Sequence, residues 1–269
     1  MKYTNKLNLP ESIARAVQND TYSAGDSDIS VTTLIGPARK RQLEIKHRDE
    51  MVTDVADRVW SLYGQIVHSI LERADLTDDE IITERRLFIT RHGWRLSGQF
   101  DRLVLRHETK GTVLQDYKFT STFTVADGVK PEHEAQANLY RLMMKEHGYN
   151  VEALEIVAIL RDWSKARAMR DSGYPQHPVA VLAVDVWSDE KTEQYITDRL
   201  TVHGEAQTDL PECTVEERWA SPTVWKVKKD GNKTAAKGHA YHASQEDADA
   251  GAEQLTEETG KPHSVEKVA

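Results

Sequence analysis

Between Val52 and Leu160 the hydrophobic period of this chain runs helical, then alternating, then helical again, and that order limits the fold more than any other feature. Val52, Val55, Val59, Leu62, Ile66 and Ile70 recur at helical spacing and predict a helix over residues 51–75. The Asp-rich stretch 76–80 ends it. Residues 85–90 then read as a strand, Arg91-His92-Gly93 as a turn, and 94–106 as a second strand. Past a tip at 107–111, residues 112–119 read as a third strand. A helix follows over 131–146, with Pro131 suited to its first turn and Gly148 to its stop. Strands over 154–160 and 179–187 and a helix over 189–203, opened by Ser188, complete the order. The expectation is an α-β-β-β-α-β core, then β-α: a mixed α/β fold whose central sheet is flanked by helices.

The flanks divide the chain further. Residues 1–30 read as an irregular N-terminal arm, with Gly, Asp and Ser around 24–28. Ser30, Thr32 and Thr33 mark a helix start at the head of the main domain, residues 31–210. A composition shift at Leu210-Pro211 opens a C-terminal appendage, residues 211–269. There, strands over 223–229 and 233–242 flank a Lys-Asp-Gly-Asn turn. With a helix over 244–258 and a last strand over 263–268, the appendage is ββαβ.

No apolar run approaches the roughly 20 residues of a membrane-spanning helix, and the N-terminus lacks the apolar core of a secretory signal. Cys213 is the only cysteine, so an intrachain disulfide or a four-cysteine metal site is excluded. A reducing cytoplasm is the expected compartment. The formal net charge of −9 argues against a surface coated in base, yet the charge is uneven. Residues 219–240 hold five lysines and one acid, whereas 241–269 hold seven acids and two lysines. Arg39, Lys40 and Arg41 form a further basic run, and a local basic groove is enough to hold phosphates.

The chemistry concentrates in LSGQFDRLVLRHETKGTVLQDYKFTS. Alternation along the third strand puts Leu114, Asp116 and Lys118 on one face. Asp101, on the preceding strand, comes beside them if it faces the same way. Two carboxylates suit a hard divalent cation, which lowers the pKa of a bound water and offsets phosphoryl charge. An Asp-x-Lys triplet by itself is commonly a surface ion pair, so its neighbours decide. His68, near the end of the first long helix, offers a nitrogen ligand. Gly64 lies one turn before it, where a glycine costs helix stability and suggests close approach of another element. Gln136 and Tyr140 share a face of the helix after the third strand.

Taken in order, the series is helical G-x-x-x-H, strand Asp, Asp-x-Lys on the next strand, and Q-x-x-x-Y on the next helix. In SLYGQIVHSILE, SGQFDRL, LQDYKFTS and EAQANLYRLM the chain resembles the PD-(D/E)xK nuclease superfamily, in its RecB-like exonuclease branch. The resemblance spans roughly residues 30–205, and ILRDWSKAR and LPECTVEERW look like phage and prophage members. It implies a restriction-endonuclease-like core and a DNA nuclease, an exonuclease on ends or single strands in phage DNA processing or recombination. It implies that His68, Asp101, Asp116 and the backbone carbonyl of Tyr117 hold Mg²⁺ or Mn²⁺. Lys118 would position or activate the attacking water, and Gln136 and Tyr140 would steady the scissile strand or the lysine. Glu84, in ITERRL, matches an acidic position before the hairpin. The product would carry a 5′-phosphate and a 3′-hydroxyl.

Many relatives clamp an iron–sulfur cluster with flanking cysteines. Here LIGPARKR has none, so no cluster is expected. Arg161, Trp163 and Lys165, after the 154–160 strand, are candidates for gripping phosphates or stacking a base. The Trp225-Lys-Val-Lys-Lys strand reads as a DNA-facing strand or a lysine-protected edge. A flap or junction endonuclease, a silent binding module on the same fold, a homo-oligomer, and a recombination or replication partner all stay open. No P-loop and no Ser or Cys nucleophile signature is present.

Overall fold

The N-terminal stretch is more ordered than its composition suggests. In a computed structural model, which describes residues 2–19, 24–75, 78–218, 220, 223–236 and 241–268, it contains β1 (Lys2–Thr4), α1 (Glu11–Gln18) and β2 (Ile29–Ser30). The expected irregular arm is thus corrected. β1 pairs in parallel with β3 (Val52–Asp54), and Ala14 and Val17 of α1 pack with Val55 and Leu62. Between them lie α2 (Val31–Ile35) and α3 (Ala38–Lys46), with the Ser30 hydroxyl accepting the Thr33 N–H as the expected cap. The long helix α4 (Val55–Asp75) starts later than its apolar spacing predicts. The Asp54 carboxylate accepts N–H groups from Ala56 and Lys6, with the Thr4 hydroxyl, so the turn before Val55 is a strand.

The hairpin is split between two sheets. β4 (Ile81–Thr83) and β5 (Arg86–Arg91) are separated at Glu84-Arg85, and β6 (Trp94–Gln99) and β7 (Arg102–His107) at Phe100-Asp101. The second strand expected over 94–106 is therefore two. β5 and β6 pair with β2 in a three-stranded sheet. β4 and β7 join β8 (Gly111–Thr120), β9 (Ala153–Leu160) and β10 (Val179–Val184) in a five-stranded sheet of order β10-β9-β8-β7-β4. Only β8 and β9 run parallel within it, so the sheet is mixed. The parallel pair is joined through α5 (Pro131–Glu146), as a parallel connection requires.

α5 is buried nearly all round: Ala137, Leu139, Leu142, Met143 and Met144 pack with Phe100, Leu103, Leu114, Leu154 and Ile156. Asn138, wholly buried on the same helix, donates to the carbonyls of Glu134 and Asp185 and accepts the Trp187 N–H. A short α6 (Lys165–Ala168) precedes β10. α7 (Asp189–Glu205), capped by Ser188, adds Ile196 and Leu200 to the core. By contact the chain divides into Met1–Glu212 and Cys213–Ala269.

In the second unit β11 (Val224–Lys229) pairs antiparallel with β12 (His263–Val268). α8 (Gln245–Thr259), between Ser244 as cap and Gly260 at φ 64°, packs Ala248, Ala252 and Leu255 on Val227. The second strand expected over 233–242 is reduced, among the described residues, to a bridge between His242 and Trp225; residues 237–240 lie outside them. Lys226 and Lys228 both pair with Glu266, so they are committed within the unit. No helix among the described residues is long and apolar enough to cross a membrane.

Candidate active site

The break in the hairpin builds the site. β7 begins at Arg102, opposite Gln115, so the end of β8 from Asp116 onward projects past it. On that bare edge the Tyr117 N–H has no strand partner from β7. The Asp101 carboxylate accepts it at 2.6 Å and replaces the ladder bond. A strand residue sends its N–H and C=O to the same edge, so the Tyr117 carbonyl shares the Asp101 side. One strand away, the Glu84 N–H donates to the Asp101 carbonyl at 3.1 Å. Glu84 itself holds φ 47°, a left-handed conformation that costs a non-glycine residue on the order of 1–3 kcal/mol. The two crossing points between sheets thus bring Glu84 and Asp101 side by side.

α4 supplies the third group. His68 Nδ1 lies 3.3 Å from Glu84 Oε1 and 3.4 Å from Asp101 Oδ1. Ligand atoms of His68, Glu84 and Asp101 all lie within 4.8 Å of one another. The hydrogen bond to Glu84 holds the imidazole above its usual pKa despite burial, helped by Asp101. Burial works against ionising Glu84, but hydrogen bonds from His68 and Gln99 hold it below the usual carboxylate range. Asp101 is pushed up to about 7 by burial and by the Asp116 carboxylate. Two crowded carboxylates and an imidazole that would rather be charged make a set that lacks positive charge, and a divalent cation fits it.

Asp116 sits beside this cluster, its side chain buried, its Oδ2 accepting no hydrogen bond. It forms an ion pair with Lys118, though not in hydrogen-bond geometry. The alternation of β8 puts both on one face, as expected. Lys118 Nζ donates to Gln136 Oε1 at 3.2 Å, and Gln136 Nε2 donates to the Tyr140 hydroxyl at 3.0 Å. The i, i+4 pair on α5 therefore grips the lysine in one continuous chain, Asp116–Lys118–Gln136–Tyr140.

Other expected residues have different places. Gly64 meets nothing: a Cβ there would find no atom within 4 Å, so the close approach expected of another element is corrected to open space beside His68. Arg39 donates to the carbonyls of Leu210 and Pro211, and Lys40 pairs with Glu44 at 3.9 Å. Arg41 donates to the Asp28 carbonyl and stacks over Trp94. The Arg39 and Arg41 contacts hold α3 to its surroundings, and the Lys40–Glu44 pair lies within the helix. Trp163 donates from its indole to the Pro175 carbonyl, Lys165 is exposed on α6, and Arg161 lies over Trp60.

Three contributors escaped the sequence reading. Gln99 orients Glu84. Gly98 lies against Tyr140, where a Cβ would come within 2.7 Å of the ring. His133 stands near the Asp116–Lys118 pair; burial and Lys118 hold its pKa below normal. The run Gly98-Gln99 just before Phe100-Asp101 was the available signal for the first two.

The sequence family described as the PD-(D/E)XK nuclease superfamily matches residues 37–259. No curated protein matches the chain. Among solved structures it is similar to one titled "Crystal structure of SSO0001", at 15% identity and a TM-score of 0.49, covering 71% of this chain and 84% of that one.

Proposed function

The chain belongs to the PD-(D/E)XK nuclease superfamily, whose members are metal-dependent nucleases, and from that premise we propose that it is a RecB-like exonuclease acting on DNA ends or single strands. The observation that carries the reading is the meeting of two assemblies: the His68–Glu84–Asp101 cluster and the Asp116–Lys118–Gln136–Tyr140 chain. His68, Glu84, Asp101 and Asp116, with the Tyr117 carbonyl, would hold Mg²⁺ or Mn²⁺, and the imidazole favours Mn²⁺. When bound, such an ion supplies positive charge to the phosphoryl oxygens and a water of lowered pKa.

The chain's own groups do the rest. Lys118 has three N–H donors; Gln136 takes one and the Asp116 carboxylate attracts another, so a third is left for the attacking water or a phosphoryl oxygen. Asp116, ion-paired through Oδ2 with Lys118, holds the ammonium beside the cluster. Tyr140, 4% exposed, anchors Gln136 and so fixes where the ammonium points. The exonuclease assignment rests on the ordered series G-x-x-x-H, Asp, Asp-x-Lys and Q-x-x-x-Y. A phage or recombination role and a homo-oligomer remain part of this reading.

The test is release of nucleotide from end-labelled single- and double-stranded DNA with Mn²⁺ or Mg²⁺. Wild type should release label, and Asp116→Ala and Lys118→Ala should not. Equal activity in all three proteins would end the reading. Closed circular single-stranded DNA should survive; its cleavage would replace the exonuclease with an endonuclease.

A further inference from the structure

α4 spans 21 residues, yet Val55 is its one fully buried position. Its surface carries two exposed rings: Trp60 is 58% exposed and Tyr63 47%. These rings are ordered with respect to the site. Trp60 and Tyr63 have ring centres 5.7 Å apart, and Tyr63 and Phe119 6.3 Å apart. Phe119 follows Tyr117 on the same face of β8, and Tyr117 meets His68 edge-on at 6.1 Å. A succession of π surfaces thus runs from the exposed end of α4 to a residue of the metal cluster. At its outer end the Arg161 guanidinium lies 4.4 Å from the Trp60 ring centre. On the helix between Trp60 and His68, the bare Cα of Gly64 leaves open space.

We propose that this row is a stacking platform for an unpaired DNA strand, which it leads toward the metal cluster; this deepens, and rests on, the nuclease reading above. Neither ring belongs to a core: the main core lies under α5, and α4 makes its own apolar contacts with α1 through Val55 and Leu62, while Trp60 and Tyr63 stay exposed. Bases are planar and every base has a π face, so successive bases can stack on such a row whatever their sequence. A duplex hides those faces inside its own stack and offers only backbone and groove edges to the rings. Arg161 is the complementary charge: the strand that lays bases on the rings carries a phosphate per nucleotide past the guanidinium. The gap at Gly64 gives the sugar–phosphate backbone room to cross α4 just before His68. A second copy of this chain seated on the same rings would lie across the approach to the cluster, which makes DNA the better occupant.

Binding is measured by fluorescence anisotropy with a labelled oligo(dT) and with a mixed-sequence duplex of equal length, in EDTA so that nothing is cut. Trp60→Ala and Tyr63→Ala should each weaken single-strand binding by about tenfold, the usual worth of one base–aromatic stack. Trp60→Phe, which keeps a ring, should recover most of that loss, and duplex binding should stay within about twofold throughout. Both sites are exposed, and far-UV circular dichroism confirms that the variants are folded. In Mn²⁺, the alanine variants should raise KM for the single strand and leave kcat nearly intact. Single-strand affinity unchanged in both alanine variants overturns the platform, as does wild-type binding no tighter to the single strand than to the duplex. If sedimentation shows that Trp60→Ala converts a dimer to monomer without altering DNA affinity, the rings belong to a second copy and the proposal fails. The nuclease reading is judged separately: it falls if wild type, Asp116→Ala and Lys118→Ala cleave equally, whatever Trp60 does.

Discussion

Gly98→Ala adds one methyl group, and the structure says where it goes. Gly98 is buried on β6, paired with Leu87, in extended backbone that alanine adopts freely. The cost is therefore steric. The new Cβ would lie 2.7 Å from Tyr140 Cε1, 2.9 Å from Tyr140 Cδ1 and 2.9 Å from Met143 Sδ, where ordinary contact begins at 3.4 Å. The ring must retreat by roughly 0.7 Å, the difference between 2.7 and 3.4 Å. Tyr140 and Met143 are 4% and 1% exposed, so little free space receives it. Overpacking of this kind costs about 1–3 kcal/mol, and the reduced freedom of the unfolded chain returns about 0.4–1 kcal/mol. A net loss of about 1–2 kcal/mol should lower the Tm by about 2–8 °C at this chain length.

Activity should suffer more than stability. The Tyr140 hydroxyl holds Gln136, and Gln136 holds Lys118, so a displaced ring unsettles the ammonium. Displacements near 1 Å at a reacting group cost up to about a hundredfold in rate, and a ten- to hundredfold fall in kcat is expected. Thermal unfolding and single-turnover cleavage measure the two effects. A double-mutant cycle isolates the cause. In a Tyr140→Ala background the principal collision is gone, and Gly98→Ala should cost little. Equal destabilisation in both backgrounds, or an unchanged Tm in the first, would refute the reasoning.

Two further outcomes follow from the same contacts. In EDTA, Asp101→Asn should stabilise the protein above neutral pH: the wild-type carboxyl is raised from 3.8 to about 7, so its favourable contribution is complete below pH 4 and lost as pH rises through 7. About three pKa units set a ceiling of about 4 kcal/mol on the difference; chemical denaturation from pH 4 to 8 measures it, and a wild-type-minus-variant difference constant over that range contradicts the assignment. Asn138→Ala removes two hydrogen bonds between α5 and the segment 185–187 and a third to the Glu134 carbonyl within the helix, all made from a wholly buried side chain. It should cost about 2–4 kcal/mol, readable as a fall in urea midpoint, and an unchanged midpoint would show that water replaces the amide.

Much of the site was legible because its parts are local. Asp116 and Lys118 share a face of β8 by the pleat alone, and Gln136 and Tyr140 share a face of α5 by the helical repeat alone. Ser30 and Ser188 cap the helices they precede. The misreadings are all non-local. The 94–106 strand carries no breaker at Phe100-Asp101, and it divides because β6 and β7 find partners in different sheets. Residues 2–4 become a strand only because residues 52–54, far along the chain, lie beside them. Gly64 looked like a packing glycine, and only the surrounding space shows that nothing packs there.

The sequence by itself determined the alternation of helical and extended stretches in the central part of the chain, the residue types of a metal-dependent nuclease, and which of them share a face. Those follow from covalent geometry, whose periods act over a few residues. Tertiary structure decided which carboxylates converge. Glu84 was a supporting residue in the sequence, and the split hairpin makes it a neighbour of His68 and Asp101 in one cluster. It also decided that Asp101 replaces a missing ladder bond on Tyr117, and that Trp60 and Tyr63 face solvent on a helix leading to His68. Such convergence depends on where two sheets part and which groups are left at the parting, and no short-range pattern records that.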